Sequence, residues 1–225
     1  MNAQTGLNAD HKRCRFCSYL DGRQVATPAN TPWLSNANYG ALISIGALVP
    51  GWTLVCPKQH ETNLCSHYAN QDFWRFTQSA AEHLKRLYGD VRIFEHGASH
   101  EGSATGCGTD HAHLHIVPLG FSLTKLAQIS GDALTWQKCA AKNIPQIVGE
   151  SEYLFVSDNL NGRNTSGLVA ILNMPVSQFF RRIIAKQLQK PEVYDYKVHP
   201  MSDLTIQFAT EMHEHMHQYS AFEIA

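Results

Sequence analysis

The segment His111-Ala112-His113-Leu114-His115-Ile116-Val117-Pro118 sets three imidazoles two residues apart, with apolar residues between them. On a β-strand successive side chains point to opposite faces. The spacing therefore predicts a strand with Ala112, Leu114 and Ile116 in a core and His111, His113 and His115 on one wall of a cleft. Imidazoles held away from water need partners, and a metal, an anion or a reacting group would supply them. At pH 7 an imidazole is largely neutral. One of the three can attack phosphorus and divide a displacement into two easier steps. A second spacing, Cys14-Arg15-Phe16-Cys17, puts two thiols close in sequence. Taken alone it fits a metal site, a redox pair, a disulfide or two unrelated thiols.

These residues need a frame. Residues 39–49 read as a strand with a glycine-containing bend, Pro50-Gly51 as a turn, and residues 52–57 as the next strand. Residues 70–88 place Phe73, Phe76, Ala80, Leu84 and Leu87 at helical spacing, with Asn70 as N-cap and Gly89 as stop. Residues 91–95 form a short strand. Residues 97–110 are rich in glycine and small polar residues, a loop that can approach a ligand closely. Beyond residue 120 the pattern changes. Residues 138–148 favour no single element. Residues 153–156 and 167–172 read as a hairpin around the polar loop 157–166. Residues 176–189 read as a helix with Phe179, Ile183 and Leu188 on one side and Arg181, Arg182, Lys186 and Lys190 decorating it. Residues 1–13 are polar and expected to fray, and the tail from about residue 191 is less patterned.

Composition narrows the function. The formal net charge is −1 and the 18 Lys and Arg are scattered. A sequence-independent binder of nucleic-acid polymers needs a basic stripe, so the scatter argues against that class but not against a single phosphorylated ligand. No apolar run reaches the roughly 18 residues of a membrane span, and no apolar signal-peptide region is evident near the start. The six cysteines are then expected as reduced thiols in a cytoplasmic protein.

Residues 111–118 resemble the signature of the histidine triad (HIT) superfamily. Residues 50–60, Pro-Gly-Trp-Thr-Leu-Val-Cys-Pro-Lys-Gln-His, resemble that family's P-G-H-x-L-V-x-P-K-x-H strand and turn. Phe94-Glu95-His96-Gly97 and Gly106-Cys107 resemble the galactose-1-phosphate uridylyltransferase branch. The resemblance covers roughly residues 14–120 and implies an α+β fold: a HIT-like antiparallel sheet with packed helices, here followed by a hairpin and helix extension over 121–225 on the same core. It implies His113 as nucleophile and His115 as the contact to the phosphate or leaving group. It also implies a structural zinc held by Cys14, Cys17, His60 and His111, since two thiolates and two imidazoles suit a closed tetrahedral site. The implied activity is hydrolysis of a nucleotide conjugate at its α-phosphate through a nucleotidyl-histidine, releasing a nucleoside monophosphate. The alternatives are a nucleotidyltransferase or phosphorylase of the same superfamily, and a non-catalytic nucleotide- or zinc-binding module. A homodimer is compatible with the resemblance.

Three positions depart from the family pattern. Ser44 falls where many members carry Asn or Asp for the ribose or phosphate. Trp52 replaces the histidine of the P-G-H turn and reads as packing. Glu95 falls where some dinucleoside polyphosphate hydrolases carry glutamine, and a carboxylate there would repel a polyphosphate unless protonated or paired. Ser44 and Glu95 are expected to face substrate, as are Gly106, Cys107 and Gly108, whose N–H groups suit charged oxygens. Gln178 and Arg181, near a helix start, are candidate phosphate contacts. His96 is a candidate contact to the leaving group, and His100 reads as a surface histidine. His213 and His217 stand four residues apart and could hold a metal, although an exposed histidine-rich helix is the plainer reading.

Overall fold

The structure is a computed structural model describing residues 14–130 and 133–223. The expectation for residues 1–13 lies outside these described residues. Eight strands form one sheet in the order β1-β2-β3-β5-β4-β7-β8-β6. They are β1 (Leu34–Ser35), β2 (Tyr39–Ile43), β3 (Thr53–Pro57), β4 (Val91–Gly97), β5 (Leu114–Pro118), β6 (Gln137–Ala140), β7 (Tyr153–Ser157) and β8 (Ser166–Ile171). Every neighbouring pair is antiparallel. The helices are α1 (Arg15–Leu20), α2 (Gln71–Tyr88), α3 (Leu123–Ser130), α4 (Ile144–Val148), α5 (Phe179–Gln187) and α6 (Ser202–Glu223). The fold is α+β, and β7, β8 and β6 continue the same sheet from the edge of β4.

Register divides the sheet into two faces. Leu42, Leu54, His115, Phe94, Val156 and Leu168 stand opposite one another across successive strands. Ile43, Thr53, Ile116, Ile93 and Ser157 form the adjacent row, pointing to the other face. The helix α2 covers that second face, burying Phe73, Phe76, Ala80 and Leu84 among others. The Asn70 side chain accepts from the Asp72 N–H at 2.8 Å, and the Gly89 N–H closes on the Lys85 carbonyl. These are the cap and stop that the sequence predicts. The helix α5 covers the first face, with the Phe180 ring 4.6 Å from Phe94. Full burial of such an aromatic side chain contributes roughly 2–3 kcal/mol.

Several boundaries move for local reasons. The histidine strand begins at Leu114 rather than His111, because the Ala112 N–H goes to the Glu61 carbonyl (2.6 Å) instead of a ladder partner. The helix expected over 176–189 begins at Phe179, because Gln178 adopts a left-handed conformation (φ 54°) that a continuing helix cannot hold. Gly97 ends β4 against the ring of Tyr153, where a Cβ would overlap its carbons. Residues 138–148 resolve into β6, a short 3-10 turn and α4. The tail beyond residue 191 contains α6, which packs on β2 and on the 3-10 turn Pro28–Asn30.

Candidate active site and metal cluster

A cleft opens on the face carrying His115. Its floor is Leu42, Leu54, His113 and His115; its walls are Phe16 and Tyr19 from α1, Ser44, the loop residues Gly106, Cys107 and Thr109, and Arg181 and Tyr196 from beyond residue 121. Because residues 111–113 leave the sheet, the three histidines do not share one wall. His113 and His115 line the cleft, with ring centroids 4.7 Å apart. His111 turns to the thiols, and Phe16 sits 5.8 Å from both His111 and His113.

Each cleft imidazole has one nitrogen assigned by a neighbour. The Nδ1–H of His113 donates to the His111 carbonyl at 2.8 Å, so the lone pair is on Nε2. The indole Nε1–H of Trp52 donates to Nδ1 of His115 at 2.9 Å, which places the His115 proton on Nε2. The Phe180 N–H approaches Nε2 of His96 at 3.4 Å, which leaves the His96 proton on Nδ1. Burial holds His113 down to about 4, with Arg15 adding to the effect and the His111 carbonyl opposing it. Burial takes His96 to about 3, helped by His113 and Arg181. His115 is pushed well below its ordinary value by burial, then by His113, His96 and Arg181. All three are neutral at pH 7.

Two guanidiniums edge the cleft. Arg181 is buried at 3% exposure, and its hydrogen bonds go to the carbonyls of Gly46 and Tyr194 rather than to a carboxylate. Its charge lies 4.9 Å from the Trp52 ring and 5.7 Å from that of Tyr196. Arg15 lies 5.9 Å from the Tyr196 ring and reaches Thr109 Oγ1 at 3.4 Å. The Tyr196 hydroxyl donates to the Cys107 carbonyl at 2.6 Å and so ties the chain's last third to the glycine-rich loop.

The remaining expected residues separate. Ser44 lines the cleft, its hydroxyl donating to the Ile45 carbonyl at 3.2 Å. Gly106 and Cys107 line it as well. Gly108 lies beside it at φ 78°, with the Lys197 ammonium closing the space a side chain would need. Gln178 does not line the cleft; its amide binds Asp195 (2.9 Å), and its backbone N–H meets Cys107 Sγ at 3.1 Å. Glu95 lies on the opposite face of the sheet, since its strand neighbours Phe94 and His96 take the cleft face. There it accepts from the Leu64 N–H (2.7 Å), the Tyr153 hydroxyl (2.6 Å) and the Tyr68 hydroxyl. Burial raises it to about 7 against the pull of these donors. The expected substrate contact at Glu95 is thus replaced by a structural carboxyl. His100 is exposed beside Ser99. His213 contacts the Thr31 carbonyl at 3.2 Å, while His215, between the expected pair, meets His83 at 3.1 Å.

Among the described residues, one group of at least three His, Cys, Asp or Glu side chains could hold a metal ion: Cys14, Cys17, His60 and His111, whose ligand atoms all lie within 4.8 Å of one another. Both histidines present Nδ1 to sulfur, with separations of 3.3 Å for Cys17–His60 and 3.5 Å for His111 to either thiol. Their Nε2 atoms meet the Pro57 carbonyl (2.8 Å) and Glu101 (3.0 Å). Such outer contacts fix the ring orientation of a metal ligand.

Sequence reasoning missed Arg15, Phe16, Trp52 as a partner of His115, and Tyr196. The first two lie inside the C-x-x-C spacing and Trp52 inside the P-G-x-x-L stretch, so their places were marked by neighbouring motifs. Tyr196 carries no such signal. No helix among the described residues is long and apolar enough to cross a membrane.

No family model matches the chain, and no curated protein does. Among solved structures it is similar to a HIT-like protein involved in cell-cycle regulation from Bartonella henselae, at 18% identity over 46% of this chain and 77% of that one, with TM-score 0.36. It is also similar to a HIT family protein from Bacillus anthracis (20% identity, 47% and 72% covered, TM-score 0.38). A HIT family hydrolase from Clostridium thermocellum is similar at 20% identity, with 48% of this chain and 91% of that one covered and TM-score 0.36.

Proposed function

We propose that the chain is a HIT-type hydrolase of nucleotide conjugates, acting at the α-phosphate through a nucleotidyl-His113 intermediate. The observation that carries this reading is the 2.8 Å bond from His113 Nδ1–H to the His111 carbonyl, which leaves Nε2 as a neutral nucleophile in a cleft edged by two guanidiniums. Leu42, Ile45, Leu54 and Phe16 offer an apolar slot for a base, while Arg15 and Arg181 attract the phosphates. The Nε2 lone pair forms the N–P bond, and the bond from phosphorus to the leaving group breaks with its electron pair. Water then attacks phosphorus and releases one proton to solvent, the pair of the P–N bond returns to Nε2, and a nucleoside monophosphate departs. Residues 14–120 supply the nucleophile, and the extension from 121 completes the cleft through Arg181 and Tyr196.

The four Cys and His ligands fit a structural zinc ion. A tetrahedron with Zn–S near 2.3 Å and Zn–N near 2.0–2.1 Å has edges of roughly 3.5 Å, close to the S···N separations of 3.3 and 3.5 Å here. Bound there, zinc would tie α1 to the segment that carries His113. Four protein ligands leave it no open position for substrate.

The test is intact-protein mass spectrometry after brief mixing with adenosine, guanosine, cytidine and uridine conjugates. The expected result is an added nucleoside monophosphate that is absent from His113→Asn, with turnover in that variant lower by at least about 10³-fold. A folded, metal-loaded protein that gives neither adduct nor turnover overturns the proposal in favour of a binding module.

A further inference from the structure

We infer that Trp52 acts as a positioning residue: it holds His115 as a fixed hydrogen-bond donor and thereby selects acid-anhydride substrates, whose leaving group departs as an anion, over phosphoramidates, whose leaving amine needs a proton. The inference rests on the proposed nucleotidyl-transfer chemistry at His113. Indole Nε1–H is a donor only, so the 2.9 Å bond from Trp52 fills the one lone pair of the His115 ring. The ring is held in that pose by Phe94, stacked 4.1 Å away at 16°, and by the edge of His113. The imidazolium would need a second proton at Nδ1. It would then face the indole N–H, leaving that fully buried donor without an acceptor.

The charged groups around the ring act in the same direction. Arg181 stands over the Trp52 ring at 4.9 Å, and His96 and His113 are its titratable neighbours. The second imidazole beside His115 is closed in the same manner, since His96 Nε2 faces the Phe180 N–H. Neither ring can hand a proton to a leaving group, and only His113 keeps an open lone pair. When His113 Nε2 bonds to phosphorus, the P–O bond breaks and its electron pair leaves on oxygen. His115 Nε2–H then hydrogen-bonds that oxygen and keeps its own proton. A sulfate, phosphate or nucleotide leaves readily in this way. An amine does not, because the P–N pair needs protonation as it departs.

The experiment compares nucleoside 5′-phosphosulfates and dinucleoside tetraphosphates with the matching 5′-phosphoramidates, using the wild type, Trp52→Phe and Trp52→His. Imidazole ¹⁵N spectra of His115 are recorded alongside. The wild type should favour anhydrides by about 10²- to 10⁴-fold, the range that general acid catalysis contributes. Its His115 should be protonated at Nε2 alone. Trp52→Phe should release the tautomer and reduce the preference at least about ten-fold, and Trp52→His should reduce it further by restoring a titratable partner. Equal turnover of both classes by the wild type, or a His115 proton on Nδ1, overturns the inference even if Trp52→Phe does not fold. Failure to turn over any conjugate overturns the proposed function instead, while the spectra still decide the role of Trp52.

Discussion

Glu95 gives the sharpest test of how this fold is assembled. Its side chain is 1% exposed and bound by Leu64, Tyr68 and Tyr153. Burial lifts its pKa from 4.5 to about 7, while the two phenols, the amide and His67 pull it down. In the unfolded chain the carboxyl loses its proton near the ordinary value. Between these two limits the folded protein therefore binds more protons than the unfolded one, and stability falls as pH rises. At about 1.4 kcal/mol per unit, the loss across the window comes to about 3 kcal/mol, a large share of the roughly 5–15 kcal/mol that holds a domain together. Glu95→Gln keeps an acceptor for the Leu64 N–H and offers an amide to phenol oxygens that can accept, yet does not titrate. Urea unfolding of both proteins from about pH 4 to about pH 8.5 should show the wild type losing about 3 kcal/mol relative to the variant, with the difference levelling about one unit above the folded pKa. Taking the difference removes the contributions of the metal cluster and other histidines, which both proteins share. Parallel curves would refute the buried, protonating carboxyl.

Two further outcomes follow from other contacts. Cys17→Ser removes one of the two cysteines from the four-residue cluster; metal content measured on the purified protein should fall several-fold and the melting temperature should drop, and unchanged metal would refute the proposed zinc site. Asp158 binds the N–H groups of Leu123 (2.7 Å) and Thr124 (3.2 Å) at the start of α3, and bonds with Ser122, Thr124 and these amides hold its carboxyl below the ordinary value despite burial. Its contribution is present at neutral pH and lost as pH falls below about 4, so Asp158→Ala should cost about 1–2 kcal/mol at pH 7 and much less at low pH, as denaturant titration would show.

Legibility in the sequence tracked how local the deciding interaction was. The α2 helix was readable because its cap, its buried face and its stop all lie within residues 70–89, and β2 and β3 because the Pro50-Gly51 turn separates two apolar runs. The α6 helix was not. Its buried positions Thr205, Phe208, Ala209 and Met212 keep helical spacing, but one of them is polar. Leu204 and Ile206, 41% and 48% exposed, place apolar residues on the wrong side and blur the stripe. The late start of the histidine strand has a similar cause: a single bond from Ala112 to Glu61, 51 positions away in the chain, outweighs the alternation that residues 111–113 display.

The site follows the same division, and its errors carry information. The proposed nucleophile and the four candidate metal ligands belong to short motifs that can be read in any single sequence. Glu95 was misplaced although its neighbours were right, because one residue along a strand is the whole difference between the two faces of a sheet; Phe94 and His96 claim the cleft, so Glu95 must leave it. From sequence Trp52 reads as packing because an indole does not titrate. Only the 2.9 Å distance shows that this indole is bonded to His115. Gln178 and Tyr196 meet the glycine-rich loop at Cys107 from 71 and 89 residues downstream, Arg181 binds the Gly46 carbonyl from 135 residues away, and no spacing rule spans such gaps. Under the proposed function, substrate selection would rest on residues that a motif search passes over: the tryptophan at the family's histidine position, and the guanidinium and phenol brought in from beyond residue 121.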